Sequence, residues 1–172
     1  MTKKQTFSIV HLRRGKEESL ERRHPWVFSG AIADIQGNPH EGDLVAVHAS
    51  DGGFLAYGHY QIGSIAVRVL SFDDSALHPD FWEVKLAKAL QVRVACGLHN
   101  LSDISSDTNC YRLVHGEGDN LPGLIIDYYD GVCVMQAHSV GMFRAKKQIS
   151  DALKKVYGES LKAVYDKSSG TA

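Results

Sequence analysis

Over its first 72 residues the chain alternates apolar and polar positions with a period of two, in short runs broken by turn residues. FSIVHL at 7–12, DLVAVH at 43–48, FLAYGHY at 54–60 and IAVRVLSF at 65–72 are rich in β-branched and aromatic side chains, the make-up of half-buried strands. GNP at 37–39, EGD at 41–43, DGG at 51–53 and IGS at 62–64 place glycine or proline where the chain must reverse, and Asp51-Gly52 is a hairpin dipeptide. One short, highly charged helix is expected between Lys16 and Arg23. Several short strands at this spacing predict a small β barrel or sandwich.

Near residue 75 the period changes. FDDSALHPD at 72–80 is a polar connector, and Asp80 followed by Glu83 starts a helix like a capping box. That helix is expected to run to Cys96 and stop at Gly97, with Phe81, Val84, Ala87 and Leu90 to Val94 inward and Lys85, Lys88 and Arg93 in solvent. A polar loop at 101–109 leads to YRLVHGEGDNLPG, and then LIIDYY at 124–129 and VCVMQAHS at 132–139 flank Asp130-Gly131 as a hairpin. A second helix is expected from Met142 to Tyr157, with Met142, Ile149, Leu153 and Val156 inward, a cationic opposite face and Gly158 as its stop. LKAVYD at 161–166 reads as a last strand before KSSGTA, and the chain is expected to stop short of a further element. The fold class is α+β: a β pseudo-barrel over 1–75 followed by a small α+β domain, a sheet with two helices, over 76–172.

Charge adds an asymmetry that the formal net charge of −1 conceals. Seven basic against three acidic groups leave +4 in residues 1–30, residues 31–143 carry −9, and residues 144–172 return to +4. A polyanion would be drawn to the ends, although charged helix faces are more often simply solvated. The three cysteines, Cys96, Cys110 and Cys133, are too widely spaced for a disulfide framework or zinc knuckle, which indicates a reduced, cytoplasmic protein. No stretch approaches the roughly 18 apolar residues of a membrane span.

Two segments exceed what fold-building requires. RRHPWVFSGAI at 22–32 groups Arg22, Arg23, His24 and Trp26 beside a Ser29-Gly30 turn, mixing phosphate-pairing cations with a flat ring that can stack on a base. The alternative is that Trp26 and Phe28 are core and His24 caps the preceding helix. YRLVHGEGDNLPG holds Glu117 and Asp119 two apart, with Arg112 and His115 nearby. Carboxylates on one loop do not flank a bond from both sides, and GEGDNL leads into a strand rather than opening a helix as a phosphate site requires. An ordered loop pinned by its own hydrogen bonds is the favoured reading. The histidines show no metal-ligand spacing, and no catalytic group is assigned.

These segments carry a resemblance. Through RRHPWVFSGAI, YRLVHGEGDNLPGLIIDYY and VYDKSS at 164–169, in that order along nearly the whole chain, the sequence resembles the bacterial large-subunit ribosomal RNA cytosine-5 methyltransferases. The resemblance implies a PUA domain over 1–75, with an RNA-facing groove formed by Arg13, Arg14, Lys16, Arg22, Arg23, His24, Trp26, Ser29 and Gly30. It marks Arg112, Glu117 and Asp119 without giving them a role. It implies S-adenosylmethionine as cofactor of the parent protein, bound outside this chain by a Rossmann-type domain that also holds the attacking cysteine. The partners it implies are ribosomal RNA and that methyltransferase domain; a homodimer is left open, and no membrane is expected. The competing expectations are a stand-alone RNA-binding or protein-docking adaptor and, more remotely, a hydrolase using Glu117 and Asp119.

Overall fold

The computed structural model describes residues 7–73, 78–99 and 108–168. It divides into two compact units, residues 1–76 and 77–172.

In the first unit, β1 (Ser8–Leu12), β2 (Trp26–Phe28), β3 (Ile32–Gln36), β4 (Leu44–His48), β5 (Phe54–Tyr60) and β6 (Ile65–Ser71) form one curled sheet in the order β2-β6-β5-β4-β1-β3. Only the β1–β4 pair is parallel. Alternate residues point inward, so Val10, Leu12, Val27, Val45, Val47, Ala56, Val67 and Val69 meet in one core, closed by Leu20 from the helix α1 (Glu18–Glu21). β2 and β3 are strands where turns or no element were expected. Both lie at the ends of the sheet, and such short edge strands show too few alternations to register as a period. At Gly58 a Cβ would stand 2.5 Å from the Arg68 carbonyl oxygen, so β5 can approach β6 here only with glycine.

The second unit contains α2 (Phe81–Ala95), β7 (Cys110–His115), β8 (Leu124–Tyr129), β9 (Val132–Ala137), α3 (Val140–Tyr157) and β10 (Ala163–Asp166). Its sheet runs β10-β9-β8-β7; β10 is parallel to β9 and is reached through α3, a βαβ crossover. The Ser139 hydroxyl accepts from the Met142 amide and starts α3. The helix then buries Met142, Ala145, Ile149, Leu153 and Tyr157, the last in place of the expected Val156. In α2 the buried stripe is also rotated from the expected one. Leu86, Ala89 and Leu90 are buried, Val84 and Val92 are 43% and 52% exposed, and Arg93 at the next helical step turns inward. No helix among the described residues is long and apolar enough to cross a membrane.

Candidate nucleic-acid interface

The segment 13–31 folds back on itself around α1. This helix is half the expected length because Gly15, at φ +80°, turns the chain before it and Arg22 closes it. Its exit is a Schellman turn: the Arg23 amide donates to Leu20 O and the His24 amide to Ser19 O. Glycine usually fills the left-handed position of that turn, yet Arg23 occupies it at φ +64°. Its guanidinium lies 4.9 Å from the Phe72 ring centroid, a contact that helps to hold the unfavourable backbone.

β2 then sorts its rings by strand parity. Val27 enters the core, while Trp26 and Phe28 stand on the opposite face, half-buried and 48% exposed respectively. The core alternative for these two rings is therefore set aside, while His24 does cap α1, through its backbone amide. The His24 ring lies against Trp26 and Phe28, at 5.8 and 6.1 Å between centroids, and its Nδ1 faces the Trp26 backbone at 3.2 Å. Arg68, opposite Trp26 in β6, places its guanidinium 5.9 Å from the indole. Arg68 was not legible as a neighbour from sequence, since the pairing of β2 with β6 spans about 40 residues and β2 itself carried no periodic signal.

Between α1 and β2 lies a groove of about 480 Å³ whose lining includes Lys16, Leu20, Arg22, Val27, Phe28 and Gly30. Of the nine residues marked by resemblance, Lys16, Arg22 and Gly30 line it, whereas Arg13, Arg14, Arg23, His24, Trp26 and Ser29 lie around it in the chain. Arg13 is tied to the turn, its Nε donating to Ile32 O at 2.9 Å and its amide to Ala31 O at 2.8 Å. Arg22 makes one exposed ion pair, 3.3 Å to Glu18, of a kind too weak to restrain it. Arg14 and Lys16 form no ion pair among the described residues. At Gly30 φ is ordinary and a Cβ would meet nothing within 4 Å. The fold does not require glycine there.

The second motif is differently built. The turn Gly116–Asp119 is held by its own groups: Asp119 Oδ2 accepts from the His115 amide at 2.6 Å, and the Leu121 amide returns to Gly116 O. Arg93 forks onto both oxygens of Asp119, with 12% and 7% of the two side chains exposed. Arg112 pairs with Asp127 across to β8 at 2.8 Å. Asp119 thus has neither oxygen free for acid–base work. Arg93 was expected in solvent; the i, i+3, i+4, i+7 series Leu86, Ala89, Leu90, Arg93 is the sequence signal that places it inside.

The glycine-rich turn at 116–119 opens onto β8 rather than a helix, and burial pushes the Cys133 thiol up to about 12, away from the nucleophilic thiolate. No group of three or more His, Cys, Asp or Glu among them could hold a metal.

Residues 10–72 match the PUA-like domain family, which places the first unit in that class of domain. The chain is homologous to ribosomal RNA large subunit methyltransferases. It is 40% identical over 154 residues to methyltransferase I of Pseudoalteromonas translucida, covering 87% of this chain and 37% of that protein. With the Aeromonas hydrophila enzyme it shares 38% over 161 residues, 92% of this chain and 38% of the relative. The chain thus spans under two-fifths of the length of these relatives. A candidate SAM-dependent methyltransferase from Streptococcus mutans has the same fold, with a TM-score of 0.73 and 17% identity over 92% of this chain and 40% of that one.

Proposed function

We propose that this chain is the RNA-binding N-terminal region of an S-adenosylmethionine-dependent ribosomal RNA methyltransferase that modifies cytosine at C5. In this reading, residues 1–75 form the RNA-binding domain and residues 76–172 connect it to the methyltransferase domain, which supplies the cofactor and the chemistry. The observation that carries it is the groove between α1 and β2: the cations Lys16 and Arg22 on one wall, the exposed Phe28 on the other, and at Gly30 a missing side chain that the fold would tolerate. Cations attract the phosphates, the ring offers a stacking surface for an unpaired base, and Gly30 admits a phosphate close to backbone.

Homology to ribosomal RNA methyltransferases selects ribosomal RNA as the ligand. The chain's own residues bind and orient that RNA, and no bond is made or broken by them. The test is a salt titration of binding to ribosomal RNA fragments. The logarithm of affinity should fall with that of salt concentration, and Arg22→Ala with Arg23→Ala should reduce the slope by about 2, roughly one per phosphate contact. Affinity indifferent to salt and to both substitutions overturns the reading.

A further inference from the structure

We infer that the outer face of the second sheet, the face turned away from α2 and α3, docks the methyltransferase domain that follows this region in the longer protein. The inference rests on the functional reading above.

β8 and β9 carry apolar residues at both parities, with Asp127 and Gln136 the two polar residues among their six outward positions. Leu124, Ile126, Tyr128, Cys133 and Met135 point inward and are buried, as one-sided strands require. The outward positions should then be polar. Instead, Ile125, Tyr129, Val132 and Val134 lie on them, and β10 extends the surface with Ala163 and Tyr165. Strand register joins them into one patch: Tyr129 stands opposite Val132 and Val132 beside Ala163, while Val134 lies between Asp127 and Tyr165. Tyr129 and Tyr165 are 48% and 61% exposed. Strands with apolar residues on both faces belong to sheets covered on both faces, and α2 and α3 cover only one.

The chemistry of the patch selects polypeptide over RNA. Arg112 on this face is already matched by Asp127, Nε to Oδ1 at 2.8 Å and Nη2 to Oδ2 at 3.2 Å, so its charge is not left for a phosphate. Aliphatic side chains flanked by exposed tyrosines are the make-up of a protein interface core, not of a phosphate-binding one. Position and length select the downstream domain. β10 is the edge strand, and the chain still follows β9 beyond it, the Lys167 amide donating to Met135 O at 2.8 Å and the Ala137 amide to Ser168 Oγ at 2.9 Å. A domain continuing from there is tethered beside this face, at high effective concentration. The relatives carry more than half their length outside the matched region.

The face has its own reporter. Cys110 is exposed and lies opposite Tyr129 in the register, whereas Cys96 is exposed at the end of α2 and Cys133 is buried. The experiment measures alkylation rates of Cys110 and Cys96 by mass spectrometry in the 172-residue chain and in the product of the complete reading frame, with S-adenosylmethionine binding followed by calorimetry. Cys110 should react readily in the short chain and at least about tenfold more slowly in the long one, with Cys96 reporting that the reagent is active in both. A long protein that binds S-adenosylmethionine but leaves Cys110 equally reactive overturns the docking face and spares the functional reading. A reading frame without such a domain removes both. Protection of Cys110 in the short chain on raising its concentration, or on adding RNA, overturns the inference in favour of a second copy or RNA as occupant.

Discussion

Arg93 and Asp119, 26 residues apart, close a two-pronged ion pair that fastens α2 to the turn between β7 and β8, and Arg93 Nε also donates to Arg112 O at 2.8 Å. With both side chains nearly sealed from water, loss of either partner strands a buried charge. Arg93→Ala and Asp119→Ala should each cost the second unit about 3 kcal/mol, read from the midpoint of urea unfolding, whereas the double variant should cost less than the sum. RNA affinity should be unchanged. Losses under about 0.5 kcal/mol, the range of an exposed pair, would show that the pair does not hold this loop.

Arg23 occupies a position that glycine fills at lower energy. If its side chain is kept for RNA, stability and binding should part company when it is replaced. Arg23→Gly is expected to raise the stability of the first unit by about 0.5–1 kcal/mol, net of the lost contact with Phe72, and to weaken binding of ribosomal RNA fragments. Paired thermal melts and binding isotherms check this; unchanged binding would leave Arg23 as an unexplained strain.

Gly30 separates fold from function more sharply. Gly30→Ala should leave the melting temperature of the first unit within a degree or two, since a Cβ there meets nothing within 4 Å. It should reduce RNA affinity about tenfold, equivalent to ~1.4 kcal/mol, by keeping a phosphate away from the backbone. Gly58→Ala is the contrasting control. Its Cβ would press on backbone, so it should destabilise the unit outright.

What the sequence revealed follows from the length over which each signal acts. The strands at 44–48, 54–60 and 65–71 and both long helices were legible because five or more residues repeat a period. β2 and β3 were not, because three residues at an edge, or five that include a solvated Asp34, contain too little alternation. The RNA-contact candidates were legible as a cluster of types, but their arrangement was not. Whether Trp26 and Phe28 face the core depends on the parity of a strand fixed by pairing with β6, and the strain at Arg23 is a backbone property that no side-chain pattern reports. Arg93 was misplaced for a different reason: charge was allowed to outweigh helical spacing.

Tyr111, Tyr128 and Tyr157 stack in the second unit, with centroids 4.9 and 5.1 Å apart, and the Tyr111 and Tyr157 hydroxyls share a hydrogen bond of 2.8 Å. Burial, the largest cause for all three, raises their pKa values above the ordinary tyrosine range. Burial likewise pushes the Cys133 thiol up to about 12. A group whose folded pKa is raised contributes its stability fully below the unfolded value and loses it as pH climbs through the folded one. The melting temperature of this unit should therefore hold to about pH 8.5 and fall as pH rises further, first through Cys133 and then through the tyrosines, whose unfolded pKa is about 10. Absorbance of phenolate should show Tyr111 and Tyr157 ionising only as the unit unfolds. Tyr157→Phe should flatten the alkaline decline while costing about 1 kcal/mol at neutral pH, because the Tyr111 hydroxyl keeps His99 Nδ1 at 3.0 Å as a partner. Ionisation of Tyr111 and Tyr157 in a unit that stays folded would contradict a sealed stack.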